Sequence, residues 1–189
     1  MSRLQVLAAN PRLALGALVT LLLAAGAVVG SGADFTATSA NPANTFSSGT
    51  LTIGNSNAGT AILTASNLRP GDPAATGTVD IENTGSLSGA FTLVRGTVNN
   101  SDAANPMAAK LNVTVVDCGT FSGATPPTCL DGDDVTKYSG TLAAMATTAL
   151  GTYAAGAKHR YRFTVALDSS ADNAYQGDSA TATFDFNAA

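Results

Sequence analysis

The stretch Arg160-Tyr161-Arg162-Phe163-Thr164-Val165-Ala166-Leu167 decides the fold. Large apolar residues occupy every second position from Tyr161 to Leu167, with Arg160, Arg162 and Thr164 between them. Side chains alternate across a strand, so this pattern describes a strand with one buried and one wet face. The same period of two recurs at Val79 and Ile81 (against Thr78, Asp80 and Glu82), at Leu111, Val113 and Val115, and from Ala180 to Phe186. Further strands are expected at 50–53, 60–65, 90–98, 136–142 and 149–153. Turn residues separate them: Pro70-Gly71-Asp72-Pro73, Asn83-Thr84-Gly85, Asn99-Asn100-Ser101-Asp102 and Gly156-Ala157. Beyond Val29 no long helical period occurs; helical turns are expected only at 103–110 and 142–149. The expected fold class is all-β, a jelly-roll-like antiparallel β-sandwich.

The first thirty-three residues are different. Arg3 and Arg12 make a basic start, Leu13–Val29 is an uncharged apolar run, and Ser31 and Ala33 are small residues spaced for a signal peptidase. The expectation is a signal peptide over 1–33, cleaved between Ala33 and Asp34. The competing reading is an uncleaved anchor, for which seventeen residues are at the short limit. Cleavage removes two arginines and no acid, leaving seven basic against 13 acidic residues and a formal charge of −6. So acidic a chain argues against nucleic acid or an anionic membrane surface as partner; membrane contact is expected only through the signal peptide. The remaining 156 residues suit one domain, 47–189, behind a short leading segment, 34–46.

Cys118 and Cys129 are the only cysteines, and after export a disulfide between them is expected. Ten residues lie between them, among them Gly119, Gly123, Pro126 and Pro127. Closing such a loop contributes about 2.5–3 kcal/mol in the chain-entropy picture. A redox pair is disfavoured because the CxxC spacing is absent.

Catalytic chemistry finds little material. A zinc peptidase needs two or three histidines with a carboxylate, whereas His159 is the sole histidine, flanked by Lys158, Arg160 and Arg162. The reading of His159 is a surface residue at a strand edge. No GxSxG elbow or HExxH occurs, so no catalytic residue and no enzyme activity are expected. Asp131, Asp133 and Asp134 form a weak calcium candidate, with solvated turn acids as the commoner reading; no other cofactor is expected.

The segment 34–46 reads Asp34-Phe35-Thr36-Ala37-Thr38-Ser39-Ala40-Asn41-Pro42-Ala43-Asn44-Thr45-Phe46. Phe35 and Ala37 alternate with Thr36 and Thr38 before Asn41-Pro42 breaks the pattern. This strand either pairs within its own sheet or leaves the domain and pairs with a neighbour's sheet edge.

Three stretches in order carry a resemblance. Phe35-Thr36-Ala37-Thr38 behind the signal peptide runs into Asn44-Thr45-Phe46-Ser47-Ser48-Gly49-Thr50-Leu51. Asn67-Leu68-Arg69-Pro70-Gly71-Asp72 is followed by Gly77-Thr78-Val79 and Asn83-Thr84-Gly85-Ser86-Leu87. Leu167, then Asp172-Asn173-Ala174-Tyr175-Gln176-Gly177, precedes Phe184-Asp185-Phe186. With these the chain resembles the TasA/camelysin family over nearly its whole length. The resemblance implies a jelly roll, export with release by a dedicated signal peptidase, and one of two functions. TasA-like members form biofilm-matrix fibres in which the N-terminal strand of one subunit completes the sheet of the next; camelysin-like members are described as surface metallopeptidases. The residues speak against the second, and the resemblance tips the reading to the first: a secreted protein in the extracellular matrix or at the cell surface, its partner another copy of itself through Asp34–Thr38, with matrix or cell-wall components as further partners. A monomeric adhesion or ligand-binding sandwich is the third reading.

Overall fold

The computed structural model describes residues 11–30, 47–130, 132 and 134–189. The chain divides into two units, Met1–Phe46 and Ser47–Ala189. The first contains helix α1, Pro11–Gly30. Pro11 opens it, where a missing N–H costs nothing. Arg12 aside, Thr20 is its one residue with a hydrogen-bonding side chain, and Thr20 Oγ1 donates back to the carbonyls of Gly16 and Ala17, each at 3.0 Å. The expected cleavage point at Ala33–Asp34 and the segment 34–46 lie outside the described residues.

The second unit is an all-β, jelly-roll-like sandwich. Its strands are β1 (Ile53–Asn55), β2 (Ala75–Asn83), β3 (Gly89–Asn100), β4 (Leu111–Thr120), β5 (Val135–Thr141), β6 (Thr148–Tyr153), β7 (Lys158–Leu167) and β8 (Ala180–Ala188). One sheet has the order β1-β2-β7-β4-β5 and the other β6-β3-β8, and every pairing is antiparallel.

The quoted stretch is β7, at the centre of the larger sheet. Tyr161 and Phe163 are fully buried, with Val165 and Leu167 close behind. They join Val79 and Ile81 of β2 and Val113 and Val115 of β4, and face Phe91 and Leu93 of β3 and Leu150 and Tyr153 of β6. Phe91 stacks on Tyr153 at 4.1 Å, and Phe163 meets Phe184 of β8 at 5.1 Å. The Tyr153 and Tyr161 hydroxyls hydrogen-bond to each other inside this core, which satisfies two polar tips that burial would otherwise penalise. Burial raises the pKa of both tyrosines.

Asn83, fully buried at the end of β2, knits the corner. Its Nδ2 donates to the carbonyls of Leu87 (2.7 Å) and Tyr153 (3.2 Å), while its Oδ1 accepts from the Gly85 N–H (3.0 Å). The Asn83-Thr84-Gly85 turn thus ties β2 and β6 to the loop that leads into β3.

Two strand expectations need correction. The segment 50–53 is not a strand; pairing begins at Ile53 and runs only to Asn55. The segment 60–65 is no strand either. Ile62 and Leu63 pack against the core from a loop, and this loop backbone lies so close to Gly77 that a Cβ there would collide with the Ile62 carbonyl. Of the expected helical turns, 103–110 contains a 3₁₀ turn at Met107–Ala109. The region 142–149 has turn bonds from the N–H groups of Ala144 and Met145 to Thr141 and Leu142, and no helix.

Candidate functional site

The two sheets are unequal, and the inequality exposes a sheet edge. In a complete eight-stranded jelly roll the first strand lies beside the last. Here β1 pairs with β2 instead, so among the described residues β8 has a partner, β3, on one side only. Inward-facing Phe184 and Phe186 are only half-buried, although the aromatics they meet, Phe163 and Tyr161, are wholly buried. Between β1 and β8 runs a groove of about 540 Å³, walled by Ile53, Asn55 and Gly59 on one side and by Val94 and Phe184–Asn187 on the other.

The backbone direction at this edge follows from the ladder. Ala90 and Ala189 exchange both N–H···O bonds, at 2.8 and 3.1 Å. Antiparallel pairs alternate between bonded and non-bonded, and β3 and β8 run in unbroken register from Phe91↔Ala188 to Arg95↔Phe184. Asn187 and Asp185 therefore bond to β3, while Ala188, Phe186 and Phe184 turn their N–H and C=O groups to the open side. The site is a row of free backbone groups beside the half-buried Phe184 and Phe186, with Asn55, Asp185 and Asn187 making the rest of the groove polar, and such a row can accept an added strand.

The opposite edge of the small sheet carries a charge at one carbonyl. Lys137 of β5 donates from Nζ to the Leu150 carbonyl of β6 at 2.9 Å and lies 3.5 Å from Asp117 Oδ2. A charged side chain laid on an edge carbonyl disfavours strand addition there.

Asp117 and His159 form a second polar cluster. His159 is not the surface residue expected from its cationic flanks. It continues the inward row of Tyr161 and Phe163, stacks on Tyr153 at 4.2 Å, and its Nδ1 lies 3.1 Å from both Asp117 oxygens. The flanking cations point outward, where Lys158 meets Glu82 at 3.7 Å and Arg160 meets Asp80 at 2.7 Å. Burial pushes the Asp117 carboxyl up. The His159 hydrogen bond, the Gly119 N–H and the charges of His159 and Lys137 outweigh it, so the pKa is lowered from the ordinary carboxylate value. A carboxyl with a depressed folded pKa contributes stability above its unfolded pKa of about 3.9 and loses it as pH falls through the folded value. Asp117→Asn is expected to flatten the fall in urea midpoint below about pH 4, measured against wild type at matched pH. An unchanged acid limb would show that the carboxylate carries no such linkage.

The remaining expected sites divide. Cys118 and Cys129 are joined in a disulfide, their Cα atoms 4.6 Å apart. Of the calcium candidates, Asp131 and Asp133 lie outside the described residues. Asp134 is half-buried with Oδ1 unpartnered. Among the described residues no three of His, Cys, Asp and Glu come together as a metal site. Asp34, Phe35, Thr36, Ala37 and Thr38 also lie outside.

Sequence reasoning placed a strand at 180–186 but did not find the groove, whose one available signal was the brevity of the strand pattern around Ile53. No protein-family model matches the chain, and no curated protein matches it.

Proposed function

We propose that this is a secreted structural protein whose copies join head to tail into extracellular fibres of the biofilm-matrix type, the segment 34–46 of one copy adding as a strand to β8 of the next. The observation that carries this reading is the open β8 edge with half-buried Phe184 and Phe186 beneath it. The alternation of Phe35 and Ala37 fits such a strand, with Phe35 as the aromatic anchor, and the resemblance to the TasA/camelysin stretches supports the same use. Removal of residues 1–33 would free this segment at the new N-terminus. A donor on one copy and an acceptor on the next make a heterologous contact that extends rather than closes.

Two changes test the two halves. Deletion of 35–45 from the protein beginning at Asp34 is expected to abolish fibres in electron micrographs at raised concentration. Fibres like those of the undeleted protein would refute strand donation. On the acceptor side, Ala188→Pro removes one open-side N–H and no bond to β3, so it is expected to weaken assembly while leaving the unfolding free energy from urea titration within about 1 kcal/mol of wild type. A concentration-independent monomer of the undeleted protein would instead favour a strand paired within its own domain.

A further inference from the structure

A second recess lies on the outer face of the larger sheet, away from the β8 edge. It measures about 340 Å³ and is lined by Thr78, Pro126–Leu130, Arg160 and Arg162. The β2–β7 register sets its charge. Asp80 stands opposite Arg160, and Thr78 opposite Arg162. Arg160 is neutralised by a two-pronged contact, Nε to Oδ1 at 2.7 Å and Nη2 to Oδ2 at 2.9 Å. The neighbour of Arg162 on the other side, in β4, is Val116, and among the described residues no carboxylate lies within ion-pair distance of Arg162. Its Nη1 donates to the Cys129 carbonyl, which fixes the guanidinium beneath the disulfide loop, while its Nε is buried with no partner among the described residues.

We propose that this recess binds a single carboxylate group, taken by Arg162 with the Thr78 hydroxyl beside it. Charge and shape both select the ligand. With Arg160 already matched by Asp80 and, among the described residues, no carboxylate beside Arg162, one positive charge is available, which suits a monoanion better than a phosphate dianion. With Nη1 held on the Cys129 carbonyl, the guanidinium is fixed in orientation and keeps further N–H donors for a planar carboxylate. Pro126, Pro127 and Leu130 give the rest of the recess an apolar wall for the carbon body bearing that group. An acidic sugar and an acidic peptide side chain both bring this chemistry. The inference is independent of strand donation, because it uses another face of the domain.

The test is a titration of the ¹⁵N-labelled protein, followed at the Arg162 Nε–H and at the Thr128, Cys129 and Leu130 amides. The probes are glucuronate, acetyl-aspartate amide, acetate and inorganic phosphate. Saturable shifts of all these signals with acetate and with one or both larger carboxylates are expected, with Kd on the order of millimolar; the tighter of the larger two names the source. Arg162→Lys keeps the charge without the planar fork and is expected to weaken binding about tenfold. Thr78→Val leaves the Arg162–Cys129 contact in place and is expected to weaken it about threefold, so the result does not hang on a variant that loosens the loop. Shifts that do not saturate, that survive both substitutions unchanged, or that are stronger with phosphate overturn the proposal. So does an Nε–H that ignores added carboxylate and moves only as the protein's own acids titrate.

Discussion

Phe163→Ala is expected to lower unfolding free energy by about 3–5 kcal/mol, read as a fall in the urea midpoint at unchanged slope. Phe163 is wholly buried at the middle of β7, and β7 is hydrogen-bonded on both sides, to β2 and β4. A strand clamped in this way cannot move inward to fill the space, so little of the cavity collapses. The ring also supports Phe184 at 5.1 Å, and its loss withdraws the floor on which β8 rests. Domains of this size have about 5–15 kcal/mol in hand, so this one change removes a large share. A loss below about 1.5 kcal/mol would mean that the two sheets close over the gap.

The second large effect is expected at a polar residue. Asn83→Ala removes a side chain that satisfies two carbonyls and one N–H in a buried corner. Each partner left unsatisfied costs about 1–3 kcal/mol, and water re-enters for some of them, so a total near 3 kcal/mol is expected. Asn83→Asp separates shape from hydrogen bonding. It keeps the volume and the acceptor for Gly85, but turns acceptor against acceptor at Leu87 and Tyr153. It should therefore be at least as damaging as alanine at neutral pH and partly recover as pH falls and the acid protonates. A tolerated Asn83→Asp at neutral pH would show that the corner carbonyls do not need this donor.

These residues also show where the sequence could be read and where it could not. The β7 stretch was legible because a strand buried on one face and bonded on both edges imposes a strict period of two, and nothing competes with it. The same period, followed two places back from Tyr161, puts His159 on the inner face. Its cationic neighbours concealed this, because alternation makes flanking charge evidence about the opposite face. Residues 60–65 misled for another reason. Ile62 and Leu63 are apolar because they seal the core beside Gly77, and burial alone does not require a ladder. The groove was least legible. It arises from the difference between a five-stranded and a three-stranded sheet, a property of strand counts at which the local pattern hints only through the short strand around Ile53.

The lysine on the β6 edge has a consequence for the direction in which one domain can pass order to the next. With an ammonium on one carbonyl of β6 and, among the described residues, an open ladder along β8, the small sheet offers its two sides unequally. Strand addition is biased to the β8 side, where each added strand in turn presents the new edge. Growth from such a sheet is polarised, and a single lysine supplies part of that bias.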